Sequence, residues 1–226
     1  MIKAVLFDID GTLLQGAGVE HGQALREAAA RVHGLGSLDG VTAEYAGRTD
    51  AAILRDLLRL AGVDDAAIDA RAVEVREASA ELFARLCPDD LSGFVAPGVP
   101  AVLADLAARP EDFRQALLTG NFEPIGRLKV ARAGLGAFFE AGQGAFGSDS
   151  VSRARLPAIA RGRAGDWPRG RTVVIGDTPR DIACARADDV RVIAVATGPF
   201  GVEELADADA VVDDARALLP VLSDWV

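Results

Sequence analysis

Cysteine is nearly missing from this sequence: Cys87 and Cys184 are the only two in 226 residues. A disulfide framework is therefore not expected, and the usage fits a reducing compartment. A basic surplus is lacking as well. Lysine and arginine number 24 against 34 aspartates and glutamates, a formal net charge of −10. That balance argues against nucleic-acid or anionic-membrane partners, whose binding needs clustered positive charge. It says nothing against a small phosphorylated metabolite, which responds only to the field of its own site. No apolar run approaches the roughly 20 residues that span a bilayer. The run Ala4–Phe7 after Lys3 meets two aspartates, too short and too acidic for a signal peptide. A cytoplasmic chain, monomer or homodimer, is expected. There is no internal repeat and no low-complexity tract.

What is present is ordinary globular material, 50% hydrophobic and 26% charged, enough to bury a real core. The length suits one large α/β domain or a domain carrying a smaller insertion. Three textures follow one another. From Ile2 to Leu14 a continuous apolar strand stops abruptly in Asp8-Ile9-Asp10-Gly11-Thr12, as a central parallel strand covered on both faces does. From Gln15 to Phe94 no strand is convincing. Helices are expected over His21–Val32, from Thr49 or Asp50 through Ile53, Leu54, Leu57, Leu58 and Ala61, and from Asp64 or Asp65 toward Leu86, enough for a small helical bundle. From Val95 onward helix and strand alternate. Strands are expected at Gln115–Leu118, Phe138–Glu140, Thr172–Ile175, Val190–Val195 and Ala210–Val212. Helices are expected at Val99–Ala108, Ile125–Ala133, Leu156–Ala164 and Asp181–Ala187. This is the pattern of an α/β fold, a doubly wound, Rossmann-like parallel sheet with right-handed crossovers. Its best strand precedes the helical block and the partner strands follow it. The expected division is therefore a core of 1–15 and 95–226 with an inserted helical-bundle domain of 16–94 covering the strand ends.

Three of those strands end in polar clusters. They are Asp8 and Asp10, then Thr119-Gly120-Asn121, then Gly176-Asp177-Thr178-Pro179-Arg180-Asp181. Each has a plain structural reading as a turn, a loop or a helix cap. Together, at one edge of a parallel sheet, they bring carboxylates into a small volume, which repulsion disfavours unless a cation sits among them. Oxygen ligands without nearby His or Cys point to Mg²⁺.

The segments Phe7–Leu14, Leu118–Asn121 and Val174–Ile182 resemble motifs I, II and IV of the haloacid dehalogenase superfamily. The helical block is placed like the C1 cap of its phosphoglycolate phosphatase-like branch, and Val195-Ala196-Thr197-Gly198 resembles the strand and loop that follow motif IV there. The resemblance implies a phosphatase acting on a small phosphomonoester. Asp8 would be the nucleophile forming an aspartyl-phosphate, and Asp10 the general acid and base. Thr119, the Gly120 amide and Asn121 would hold the phosphoryl group. Mg²⁺ would be bound by Asp8, the Asp10 carbonyl, Asp177 and Asp181, the last as ligand or as orienter of metal waters.

The sequence departs from the family at motif III, where a lysine is usual. Lys129, between motifs II and IV, falls inside the helix Ile125–Ala133 and is expected to be solvated surface. Arg153 is the candidate for that place, with Arg155 second, since a guanidinium can hold phosphoryl group and nucleophile together. The block Gln15–Phe94 has no lysine, which sets aside the Schiff-base, phosphonate-cleaving branch. Dehalogenases lack an acid at the Asp10 position. A β-phosphoglucomutase-like mutase and a silent binding module on the same fold stay as alternatives. In the block, Arg48 either contacts an anionic substrate group or is solvated beside the capping pair Thr49 and Asp50. His21 either lines the entrance or is structural.

Overall fold

Strand β1 (Lys3–Phe7) is buried along its whole length, as an uninterrupted apolar run in the middle of a sheet must be. The computed structural model describes residues 3–225. Met1, Ile2 and Val226, which belong to the expected core segments, lie outside the described residues. Strand β1 pairs in parallel with β2 (Phe113–Leu117) on one side and β3 (Thr172–Gly176) on the other. Beyond β3 lie β4 (Arg191–Val195) and β5 (Ala210–Val212), giving a five-stranded sheet in the order β2-β1-β3-β4-β5. The chain steps to one side of β1 for β2 and to the other for β3. That reversal opens a crevice beyond the carboxyl ends of β1 and β3, where ligands bind in sheets of this type.

Successive side chains alternate across the pleat, and both faces are filled. Val5 and Phe7 point into one apolar cluster with Val102, Leu103, Leu106 and Ile175. Leu6 and Val174 point into the other, with Leu156, Ile182 and Ala185. The helices that supply these residues are α4 (Val99–Ala107), α6 (Leu156–Arg163) and α7 (Pro179–Ala187). A closing helix, Leu218–Asp224, had no counterpart in the sequence expectation; it packs through buried Leu218 and Leu222, one turn apart.

Between β1 and α4 the chain makes three α-helices and no strand: α1 (Val19–His33), α2 (Asp50–Leu60) and α3 (Asp65–Leu86). Their ends have visible causes. Gly34 takes φ 66°, and its N–H closes α1 on the carbonyls of Ala30 and Arg31. Thr49 and Asp64 cap α2 and α3, accepting from the amides of Ala52 at 3.2 Å and Ala67 at 2.9 Å. Helix α1 packs on α2 and α3, and α3 rests on α5 (Glu123–Arg132) of the sheet layer. The connections out and back run side by side. Leu14 bridges Val95, Gln15 N–H donates to Phe94 O at 2.8 Å, and Ala96 N–H donates to Leu13 O at 3.0 Å. Among the described residues no helix is long and apolar enough to cross a membrane.

One expected strand is absent. Phe138–Glu140 is not β: Gly136–Phe138 is a single 3-10 turn, with Phe138 N–H bonded to Leu135 O. The aromatic pair there serves the core, Phe139 packing edge-on to Phe7 at 6.3 Å. The place beside β2 is instead touched by one parallel bridge, Leu118 to Ala145.

Candidate active site

The end of β1 delivers Asp8 into the crevice, its N–H held by Ile175 O at 2.9 Å. The chain then folds back tightly, the amides of Leu13 and Leu14 both bonding Ile9 O. This turn requires glycine at position 11, where φ is +83° and a Cβ would collide with the Asp177 carboxylate. Gly198 closes on the same carboxylate oxygen, Oδ2, while Thr12 Oγ1 donates to Asp177 Oδ1 at 3.2 Å. Two backbone segments thus press close on Asp177.

Asp181 arrives on the first turn of α7. It closes a reciprocal cap with Thr178, whose N–H and Oγ1 donate to its Oδ2 at 3.0 and 2.7 Å. The cap thus sets Asp181 beside Asp8 and Asp177. Ligand atoms of Asp8, Asp177 and Asp181 all lie within 4.8 Å of one another, and all three residues are buried. Burial pushes the Asp8 carboxyl up to about 6, with Asp181 and Asp10 adding to the rise against the pull of Arg153. Burial and the charges of Asp8 and Asp181 push Asp177 up to about 8. Such crowded oxygens, without His or Cys, are the donor set of a hard divalent cation.

The cation beside Asp8 is Arg153. It sits buried on a 3-10 turn, its Nη2 3.0 Å from Asp8 Oδ2 and also hydrogen-bonded to Asp181. Burial works against its charge, but Asp181 and Asp8 outweigh that and raise its pKa. Arg155, two residues on, points to solvent. Arg153 Nε is buried without a protein partner, a donor left for a ligand.

Thr119 is buried at the end of β2, its N–H on Ala145 O. Asn121 donates from Nδ2 to Asp10 Oδ2 at 2.9 Å, and its Oδ1 is buried and unpartnered. Gly120 lies under the α1–α2 connection. A Cβ there would strike Arg48 O, and Gly120 O accepts from Asp50 N–H at 2.8 Å. Asp8, Asp10, Thr119, Gly120, Asn121, Arg153, Asp177, His21 and Arg48 all line one cleft of about 730 Å³, and Asp181 lies beneath it.

Two expectations change in detail. Arg48 reaches the cleft wall, yet its guanidinium turns back on α2, 2.7 Å from Asp56 Oδ2. His21 is buried, with Nε2 3.0 Å from Asp50 Oδ2. One expectation is corrected outright. Lys129 is not solvated surface but fully buried, its Nζ 2.7 Å from both Asp10 oxygens and 3.1 Å from His21 Nδ1. It belongs to the buried face of α5 with Ile125, Gly126 and Val130. The signal was available, since Lys129 stands one turn after Ile125 on that stripe. Burial tends to raise the Asp10 carboxyl, but the Lys129 charge and the bonds from Lys129 and Asn121 hold it below its usual value. Asp50, also unanticipated as a site residue, accepts from Phe122 N–H at 2.7 Å as well as meeting His21.

Comparison with known proteins agrees with this geometry. Residues 5–186 match the haloacid dehalogenase-like hydrolase family. The chain is 32% identical to a phosphoglycolate phosphatase of Rhodospirillum rubrum, covering 100% of this chain and 91% of that protein. It is also 32% identical to a phosphoglycolate phosphatase of Cupriavidus necator, covering 97% and 93%. Among solved structures, β-phosphoglucomutase from Clostridium difficile superimposes with a TM-score of 0.70 at 16% identity, covering 100% of this chain and 97% of that one. With the carboxylates at the strand ends and the family match over most of its length, the chain belongs to the haloacid dehalogenase-like hydrolases.

Proposed function

We propose that this phosphatase hydrolyses a small phosphomonoester, a phosphoglycolate-like acid or a sugar phosphate, with Mg²⁺. The observation that carries the proposal is Asp8, buried at the end of β1, 3.0 Å from Arg153 and grouped with Asp177 and Asp181. In this reading Asp8 attacks phosphorus and the ester oxygen leaves with a proton from Asp10. The aspartyl-phosphate is then cleaved by water that Asp10 deprotonates, so one difficult displacement becomes two easier ones. Thr119, the Gly120 amide and Asn121 position the phosphoryl oxygens, and Arg153 spans nucleophile and phosphoryl group. Asp8, the Asp10 carbonyl, Asp177 and Asp181 are the residues to hold Mg²⁺, which when bound neutralises the crowded carboxylates and the substrate phosphate.

Residues 16–94 act as a cap over this site, with 1–15 and 95–226 as the core. Support comes from the paired connections at Leu14 and Val95 and from the loop Gly47–Asp50 lying on Gly120. The likeness to a phosphoglucomutase concerns the fold alone and does not favour a mutase. The test is hydrolysis of p-nitrophenyl phosphate, followed by a panel of small phosphorylated metabolites. Activity should need Mg²⁺, vanish with chelator, and fall about 10⁴-fold or more in Asp8→Asn. Robust turnover by a folded Asp8→Asn protein refutes the covalent route.

A further inference from the structure

The sequence has two lysines among its 24 cationic residues, Lys3 and Lys129, and the second is fully buried against Asp10, which lines the cleft. Full burial of an ammonium is unfavourable unless its donors are all met. Lys129 has three N–H donors and three acceptors at hand: Asp10 Oδ1 and Oδ2 at 2.7 Å each, and His21 Nδ1 at 3.1 Å. The Phe83 ring, centred 5.9 Å away, closes one side of it.

The lysine is brought there by close packing. A Cβ at Gly126 would stand 3.1 Å from Ile9 Cδ1 and 3.4 Å from Thr119 Cγ2, so glycine at 126 lets α5 press against the Asp8–Asp10 turn. Lys129 follows one turn later on the same face. It is also braced from the helical segment. An ammonium only donates, so His21 Nδ1 accepts, and the hydrogen on Nε2 goes to Asp50 Oδ2 at 3.0 Å. Asp50 is fixed in turn by Phe122 N–H and Gly120 O. Asp10 meanwhile keeps 39% of its side chain exposed toward the cleft. Its Oδ2 meets both Lys129 and Asn121, whereas Oδ1 meets Lys129 alone.

The geometry points to Lys129 as the positioning residue of the acid/base carboxylate: braced by the His21–Asp50 pair, it aims Asp10 at the leaving oxygen. The two carboxylates of the turn then have separate cationic partners, Arg153 for Asp8 and Lys129 for Asp10. The inference rests on Asp10 being the acid/base of the proposed hydrolysis.

The test is the leaving-group dependence of kcat/KM, which covers only steps through departure of the alcohol. Lys129→Met, checked by thermal unfolding and circular dichroism, is assayed with β-glycerophosphate and with p-nitrophenyl phosphate. The alkyl ester needs a proton to leave and p-nitrophenolate hardly does, so the losses should be about 100-fold and under about 5-fold. Adding Lys129→Met to Asp10→Asn should cost nothing further, since the two act as one unit. If Lys129→Met does not fold, His21→Gln and Asp50→Asn carry the test, with the same bias toward the alkyl ester at smaller size. Equal losses for both esters in a folded variant, or losses that add to those of Asp10→Asn, overturn the inference. An Asp10→Asn enzyme without leaving-group bias instead overturns the acid/base reading, which separates the two failures.

Discussion

Asp8 and Asp10 stand two residues apart on one turn, yet they occupy opposite kinds of surroundings. On the Asp8 side three carboxylates crowd together with one guanidinium bridging two of them, Asp8 and Asp181, and burial with mutual repulsion lifts Asp8 to about 6 and Asp177 to about 8. On the Asp10 side one carboxylate meets a buried ammonium and an amide, and it is held below its usual value. The first region is short of positive charge and the second is satisfied by the protein alone. One turn thus carries two acids in opposite environments, as the proposed division between nucleophile and acid/base requires.

After Asp8 itself, the largest effect should come from Arg153. Arg153→Met removes the one guanidinium shared by Asp8 and Asp181, and kcat should fall about 10²- to 10³-fold. Arg155→Ala, at a solvent-exposed position, should stay within about twofold of wild type. A reversed ranking in steady-state kinetics would mean that the two regions do not have separate cations. Next is Gly11→Ala. Its methyl group meets the Asp177 carboxylate in a backbone conformation with φ of +83°. Apparent Mg²⁺ affinity, read by activity titration, should drop about 10- to 100-fold, with the Asp10 region undisturbed.

The smallest effect concerns pH. Folding takes up protons on Asp8 and Asp177 between their ordinary value of 3.8 and their folded values of about 6 and about 8. Metal-free stability should therefore decline as pH rises through that window. Mg²⁺ competes with those protons, so the gain in Tm on adding it should grow by several degrees from pH 5 to pH 8. A gain independent of pH would mean that the crowded carboxylates are not where the metal binds.

Much of this contrast could be read from the chain, for identifiable reasons. Strand β1 and the Asp8–Thr12 turn are local features, an apolar run and a required glycine, and local patterns survive folding. The helices of 19–86 announce themselves by caps and periodicity. The merging of Arg153 with Asp8 and Asp181 could be anticipated only as a choice between two arginines, because burial of one residue on a 3-10 turn has no local signature. Lys129 departs from the expectation because position on the helix outweighs charge. Its place on the apolar stripe with Ile125 and Gly126 meant more than its ammonium. The expected strand at Phe138–Glu140 is replaced by a turn in which Phe139, a residue type that favours strands, packs against Phe7 instead.

The hydrogen bonds between Asp50 and the loop at Gly120 and Phe122 tie the helical segment to the loop that faces the phosphoryl group in the proposed reaction. Two sites so joined are thermodynamically reciprocal: whatever free energy a ligand gains from the seated loop, it must return in holding the helices down. Ligand affinity and the seating of the helical segment are then a single equilibrium seen from two ends, and a substitution that loosens one is felt in the other.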